Sequence, residues 1–299
     1  MDDRPLSILH YRPVSPRDEQ WGIVCTTAGH QHVPPGTPYP VSEHPEHYLF
    51  YKGSGRTLDE YQLVYITAGR GRFESASCPS QTVEAGTMLL LFPNEWHSYS
   101  PDPGTGWTEW WVGFRGANID RLEQQGFLCR RRPLLRIGCS GGIERCYREI
   151  IGTVEEERVG FQPLISSIVL HILGSVLFKH SNLLYSDNPV VEKINRAKAI
   201  MRTDFGRNRS PEQIAREVGM GYTWFRRVFR EYVGMAPAQY QHTMRLNKAR
   251  ELLATTAHSI SEIAYALGFE SVSAFSLFFR LRERLSPSQY RARFRGGKG

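Results

Sequence analysis

Three arginines set the chemistry open to this chain. Arg226, Arg227 and Arg230 follow Thr223 at spacings of three, four and seven residues, so on a helix they share one face, with Trp224 beside them. The opposite face would carry Phe225, Val228, Phe229 and Tyr232, a set suited to a core. A guanidinium is planar, permanently charged and rich in donors. It binds guanine edges in bidentate fashion and phosphates equally well, so three on one short helix suit a DNA major groove. A solvated basic face would look the same on one helix alone. The sequence carries no Gly-rich phosphate loop, zinc-finger spacing or serine nucleophile elbow that would point to other chemistry.

The elements that must position these arginines occur twice. Gln213 to Gly219, Phe225 to Arg230 and Gly234 to Tyr240 return as Glu262 to Gly268, Phe275 to Arg280 and Arg284 to Tyr290. Ile214, Ala215 and Gly219 recur after 49 residues, and Phe229, Pro237 and Tyr240 after 50. Each copy predicts a short helix with Ile, Ala and Val or Leu inward, a glycine stop, and a second helix, which is a helix-turn-helix. In the second copy the groove face is Ser273, Ser276, Leu277 and Arg280, with far fewer donors for base edges. Charge follows the same division. Residues 190–299 hold 20 Lys and Arg against 9 Asp and Glu, a net of +11, while residues 1–189 carry −4. A basic half joined to a mildly acidic one points to a polyanion partner for one half only. A membrane-surface protein would need a broad exposed apolar helix face, and the C-terminal apolar residues are used by the repeat.

The N-terminal half predicts strands. Tyr61 to Thr67, Arg72 to Glu74, Met88 to Phe92, His97 to Tyr99 and Trp107 to Phe114 are separated by Gly- and Pro-containing turns. Such spacing predicts a double-sheet barrel of the jelly-roll or cupin kind. Helices should follow, one through Ile143, Cys146, Tyr147, Ile150, Ile151 and Val154, the next through Ile165, Ile168, Ile172 and Val176. The second helix has another apolar stripe in Leu164, Val169, Leu173 and Leu177, which predicts a partner, most simply a second copy of the chain. The expected fold class is therefore α+β and multidomain. Residues 1–140 are expected to form a cupin-like barrel, 141–180 a helical dimerisation segment, 181–189 a polar linker and 190–299 an all-α domain with two helix-turn-helix units. The N-terminus lacks the features of a signal peptide, and the apolar runs Met88 to Phe92 and Leu164 to Phe178 read as too short or too broken to span a membrane. Five cysteines without CxxC spacing read as free thiols in a reducing cytoplasm.

The C-terminal half resembles the DNA-binding domain of the AraC-type bacterial transcription regulators. Ile263-Ala264, Gly268-Phe269, Phe275-Ser276, Phe279-Arg280 and Ser286 to Arg291 carry the match. The N-terminal half resembles the cupin-type sensor of the sugar-responsive branch at Arg56 to Leu58, Gly69 to Gly71, Ala85 to Pro93, His97 to Tyr99 and Trp111 to Phe114. The resemblance implies a homodimer that binds a small molecule in the barrel and double-stranded DNA with both units, usually activating transcription with RNA polymerase as a partner. Two positions depart from the pattern. Arg284 stands where the family usually has Gly, so the turn there is expected to differ locally if its backbone is left-handed. Leu277 stands where the second recognition helix often has Arg.

A sugar pocket needs aromatic rings for C–H faces and a few polar groups for hydroxyls. Trp110, Trp111, Tyr99, Glu109 and Arg56 supply that mix, and the resemblance implies that Arg56, Tyr99, Glu109 and Trp111 line the ligand site. Barrel core is the alternative for the aromatics. A cupin metal would need His and Glu ligands. His44, His47 and His97 are available, but the sole His-x-His, His30 to His32, precedes Pro34-Pro35 and reads as loop, so no metal and no cofactor are expected. The expected function is a cytoplasmic, homodimeric, ligand-responsive and sequence-specific DNA-binding transcription regulator, an activator of carbohydrate-use genes, that is not an enzyme. The alternatives are a cupin metalloenzyme fused to a DNA tether, and a constitutive DNA binder whose barrel only dimerises.

Overall fold

Alternation along the strands builds the N-terminal half, because both faces of its main sheet are buried. In the computed structural model, which describes residues 7–11, 14–40, 55–183 and 189–295, the chain divides into two units, Met1–Leu184 and Tyr185–Gly299. The first contains β1 (Ser7–Tyr11), α1 (Pro16–Glu19), β2 (Val24–Val33), β3 (Arg56–Thr57), β4 (Tyr61–Ser75), β5 (Cys78–Glu84), β6 (Thr87–Leu91), β7 (Trp96–Pro101) and β8 (Trp107–Arg115). It continues with α2 (Ala117–Gln124), β9 (Leu134–Arg136), α3 (Gly141–Glu156) and α4 (Phe161–Leu183). The main path is β1-β2-β8-β4-β6-β9. β4 is long enough to serve two sheets: Tyr61–Gly69 pairs with β8, and its far half, from Arg70, pairs with β5 and β7. A register shift between Ile66 and Ala68 marks the bend. The chain is α+β, with a barrel-like sheet unit followed by an all-α unit.

The apolar run Met88 to Leu91 is continuous because its side chains go alternately to two cores. Met88 and Leu90 join Tyr61, Leu63 and Tyr65 under the helices. Leu89 and Leu91 join Val64, Ile66, Tyr99, Trp107 and Trp111 inside the barrel. Buried Ile143, Tyr147, Ile150, Ile151 and Val154 of α3 pack on the helix-side core.

α4 is more deeply seated than its sequence predicts. Val169 and Leu173, assigned to a stripe awaiting a partner, are buried within the unit, on the face of α4 that Gln162 and Ser166 tie to the sheet. Leu164, Leu170 and Phe178 stay exposed. Gln162 holds α4 to the sheet: it accepts from the Cys25 backbone N–H (3.1 Å) and donates to the Cys25 carbonyl (2.9 Å). Ser166 Oγ donates to the Ile23 carbonyl at 2.9 Å. By length and composition this 23-residue helix is apolar enough to cross a membrane, contrary to expectation, since Ser, His and Gly within it do not break it. Its buried face is part of the barrel unit's core.

α4 runs through Leu183, into the segment read as linker, and the next helix begins at Pro189; residues 184–188 lie outside the described residues. The second unit contains α5 (Pro189–Thr203), α6 (Pro211–Glu217), α7 (Tyr222–Val233), α8 (Pro237–Thr255), α9 (Ile260–Ala266), α10 (Val272–Glu283) and α11 (Pro287–Arg295). The repeat is visible in its caps. Ser210 with Gln213, and Ser259 with Glu262, form reciprocal capping boxes at the starts of α6 and α9. Gly219 (φ 67°) and Gly268 (φ 76°) then turn each first helix into the second. Each half has its own core. Ile214, Ala215, Phe225 and Phe229 centre one; Ile263, Ala264, Phe275 and Phe279 centre the other. α8 contributes Tyr240 to the first and Leu246, Ala249 and Leu253 to the second.

Arg284 does not alter its turn. It adopts the left-handed conformation (φ 58°, ψ 13°), as Gly234 does (φ 81°, ψ −2°). Each returns its N–H at 2.9 Å, to Arg280 and Arg230 respectively. The tertiary frame therefore overrides the side-chain penalty, which is about 1 kcal/mol. Arg284→Gly should stabilise this unit by up to about 1 kcal/mol, less the entropy glycine adds to the unfolded chain. Urea denaturation would read the gain; equal or lower stability would show that Arg284 makes a compensating interaction.

Candidate functional site

α7 is oriented by its aromatic side. Phe225 and Phe229 are completely buried, which turns Thr223, Trp224, Arg226, Arg227 and Arg230 outward, all exposed. Among the described residues these three arginines make no ion pair. Others are structural: Arg209 pairs with Asp204 and Glu217, and Arg250 with Glu283. On α10 the equivalent aromatics, Phe275 and Phe279, are equally buried. Ser273 and Arg280 are exposed, Ser276 half-buried, and Leu277 exposed by 51%. The contrast extends further than the recognition face. Arg216, Arg227 and Glu231 of the first copy correspond to Tyr265, Leu277 and Leu281 of the second, all three exposed.

The barrel interior gathers the other candidates. Along β8, Trp107, Glu109 and Trp111 alternate onto the inner face, while Trp110, Val112 and Phe114 face the helices. Trp110 is therefore not part of the inner set. It lies 3.9 Å from the His30 ring and has the Arg148 guanidinium 5.3 Å from its centroid. Arg56, from β3, donates to the Tyr99 hydroxyl at 2.8 Å and to His97 Nε2 at 3.3 Å. Tyr39, between β2 and β3, donates to Glu109 at 3.1 Å and 3.4 Å. Its ring stands 6.2 Å from Tyr99 and 5.8 Å, edge-on, from Trp107. Arg56, Tyr99, Glu109 and Trp111 thus share one interior with Tyr39, His97 and Trp107. Sequence reasoning missed Tyr39, which sits in a Pro- and Gly-rich stretch without periodicity. Trp107 was detectable as the next member of the two-residue alternation.

Electrostatics distinguish the acid from the base. Burial pushes the Glu109 carboxyl up to about 7, against the hydrogen bond from Tyr39 and the charge of Arg56, which lower it. Burial, then Arg56, lowers His97 to about 3. His97 is a neutral imidazole, with Nδ1–H donating to the Glu95 carbonyl at 3.1 Å and Nε2 accepting from Arg56. The unfolded chain takes up a proton near pH 6.5 that folded His97 refuses, so this contribution is intact above that pH and lost as pH falls towards 3. Relative to wild type, His97→Gln should gain about 2 kcal/mol between pH 7 and pH 5. Denaturant titrations at both pH values would show it, and an unchanged difference would mean the imidazole becomes charged in place.

Two expectations about metal ligands need correction or restriction. His30 and His32 lie on β2, paired with Trp110 and Thr108 of β8, because the strand runs up to Val33 just ahead of the prolines. His32 Nδ1 meets Thr108 Oγ1 at 2.9 Å, on the face away from the interior. His44 and His47 lie outside the described residues. Among the described residues, no three His, Cys, Asp or Glu side chains gather as a metal-binding group.

Comparison with known proteins places both units. Residues 47–173 match the AraC-like ligand binding domain, and residues 214–293 match a helix-turn-helix domain of eighty residues. The chain belongs to the AraC-type regulators. Its curated relatives are transcription regulators over nearly their whole length. The AraC-type protein RhaS of Salmonella paratyphi B, an HTH-type transcriptional activator, is 29% identical over 78% of this chain and 85% of its own. The raffinose operon regulatory protein RafR of Pediococcus pentosaceus is 24% identical over 81% of this chain and 87% of its own. Among solved structures, an AraC-type DNA-binding protein from Chromobacterium violaceum is 33% identical, covering 38% of this chain and all of that one, at a TM-score of 0.33. This AraC-type chain is thus a DNA-binding transcription regulator with an N-terminal ligand-binding domain.

Proposed function

We propose that this AraC-type chain is a homodimeric activator of carbohydrate-use genes whose barrel binds a sugar effector. The observation that carries this reading is one interior holding Arg56, Tyr99, Glu109 and Trp111, on the same polypeptide as two helix-turn-helix units. Regulation of a raffinose operon by one relative and the activator role of RhaS support the carbohydrate and activator assignments. The DNA contacts are assigned to Thr223, Trp224, Arg226, Arg227 and Arg230 of α7 and to Ser273, Ser276 and Arg280 of α10. Leu164 of the second stripe, with the exposed Leu170 and Phe178, supplies the dimer contact, in place of the buried Val169 and Leu173. Residues 1–140 act as sensor, 141–180 as dimerisation segment, 181–189 as linker and 190–299 as DNA-binding domain. RNA polymerase is the transcription partner, and the protein works in the cytoplasm. A regulator rather than a metalloenzyme is the reading that His97 supports, since its two ring nitrogens are engaged by Arg56 and by the Glu95 carbonyl.

The two DNA-reading units should contribute unequally. Donors aimed at base edges give specificity, whereas phosphate contacts give register and salt-dependent affinity. α7 offers three exposed arginines. α10 offers Arg280 for a phosphate, two serines, and Leu277 and Val272 for a thymine methyl. Saturation mutagenesis of a single-protomer site should show one sharply defined block and, about one helical turn away, a looser AT-leaning block. Equal information in the two blocks would contradict this division of labour and shift the second block's readout to DNA shape. A thermal-shift screen with sugars tests the sensor half: a ligand-induced rise in melting temperature opposes a constitutive binder whose barrel only dimerises.

A further inference from the structure

Two buried polar groups on the inner face of β8 have unspent hydrogen-bonding capacity, and they are neighbours in the strand alternation. Glu109 is 3% exposed. Its carboxyl can accept about four hydrogen bonds, yet among the described residues it receives them only from the Tyr39 hydroxyl. Trp107, two residues earlier, is 1% exposed, and its indole Nε1–H has no acceptor among the described residues. A buried donor without an acceptor costs free energy that a correctly placed ligand oxygen recovers. The surrounding walls are aromatic: Tyr39, Tyr99 and Trp107 rings stand about 6 Å apart, with Trp111 next along β8.

We propose that Glu109 and Trp107 together set the effector class of the barrel, selecting a neutral polyhydroxyl ring and rejecting its carboxylate-bearing counterpart. The inference rests on the sensor reading above and narrows it. A hydroxyl is the group that fits both halves of the pair, since it donates to Glu109 and accepts from the indole. A uronic acid would bring a second anion beside a carboxyl already destabilised as an anion by burial. An ammonium group would satisfy Glu109 but offer nothing to Trp107, and it would meet the Arg56 guanidinium, 5.5 Å from the Tyr99 ring centroid. Aromatic rings suit the C–H faces of the sugar.

Proton linkage follows from the same geometry. The ionised carboxylate accepts hydroxyl donors better than the neutral acid, so sugar affinity rises as Glu109 ionises, around pH 7. The other groups facing it do not change charge in that window. Arg56 of β3 is a permanent cation, burial and Arg56 hold His97 of β7 to about 3, Tyr99 of β7 is pushed up to about 12 by burial, and Tyr39 stays well above its usual value.

The test uses the full chain and matched sugars: galactose with galacturonate, glucose with glucuronate, and xylose, arabinose and rhamnose as further neutral members. Thermal shift followed by calorimetry is run on wild type, Glu109→Gln, Trp107→Phe and Trp111→Ala. A neutral sugar should stabilise wild type while the uronates do not. Its affinity should fall about tenfold in Glu109→Gln and about fivefold in Trp107→Phe. In wild type it should rise between pH 6 and pH 8, and Glu109→Gln should lose that rise. A uronate bound by wild type as well as its neutral partner overturns the proposal. So does an affinity that Trp111→Ala abolishes but both Glu109→Gln and Trp107→Phe retain, which leaves the pocket standing. No response to any sugar, or a response that survives in Trp111→Ala, overturns the sensor reading beneath it.

Discussion

Replacing Arg226 or Arg227 by alanine should weaken binding of the full chain to its promoter site by about 1–3 kcal/mol each. The expectation follows from packing before it follows from charge. Phe225 and Phe229 are fully buried against Ile214 and Ala215, and they fix the rotation of α7 about its axis. With that rotation set, both arginines point outward, and neither is drawn into an ion pair among the described residues. Removing a guanidinium that bridges a guanine edge costs a bidentate pair in a desolvated groove, not a screened surface contact. A base contact and a phosphate contact also differ in signature. If Arg227 reads a base, its alanine variant should relax preference at one position of the site; if it holds a phosphate, the variant should lower affinity for all sequences and reduce the salt slope by about one. Fluorescence anisotropy on wild-type and permuted sites separates these outcomes. Unchanged affinity in both variants would remove α7 from DNA recognition.

Trp111→Ala and Arg56→Ala should leave DNA binding in place and abolish the response to effector. Trp111 lies in the inner core beside Tyr99 and Trp107, 6% exposed, so its removal opens the wall on which a sugar ring would stack. Arg56 acts differently. It ties β3 to β7 through Tyr99 and His97, and its charge is one of the two influences that hold the Glu109 carboxyl down. Arg56→Ala should therefore raise Glu109 further and weaken it as an acceptor. Loss of an aromatic wall or a buried charged donor is worth about 2–4 kcal/mol, enough to remove a micromolar ligand from the range of calorimetry. Arg56→Lys keeps the charge without the fork, and partial recovery there would separate electrostatics from geometry. Wild-type effector affinity in both alanine variants would place the pocket elsewhere.

The helix-turn-helix pair was legible because its signals are local. Turn glycines at 219 and 268 and aromatics at helical spacing each act within a few residues, and the structure repeats them in the same frame, adding the caps at Ser210 and Ser259 that the sequence reading did not use. The barrel was legible in outline only. Trp110 and Trp111 cannot be told apart by hydropathy, since both faces of β8 are largely buried and each carries one polar residue, Thr108 on one and Glu109 on the other; only register and the position of Tyr147 separate them. The strand at His30 to His32 was hidden because its alternation is carried by His and Gln, polar residues that nonetheless pair with β8. The second stripe of α4 looked unpartnered because Val169 and Leu173 are buried by the barrel unit's own core, distant in sequence, on the face that Gln162 and Ser166 tie to the sheet. Arg284 looked like a broken turn because local propensity weighs about 1 kcal/mol, less than the packing of α10 and α11 on either side of it. Tyr39 reaches Glu109 across seventy residues of sequence, a contact that no spacing rule could foresee.

On the proposed function, one chain couples a sugar in the barrel to DNA held by the two helix-turn-helix units. The most direct measurement is footprinting of the full-length protein on its promoter, with and without the sugar that raises its melting temperature. The sugar should change affinity at least about fivefold or alter the extent of protected DNA, and Trp111→Ala should show the sugar-free footprint under both conditions. Identical footprints and affinities with and without that sugar, in wild-type protein, would contradict it.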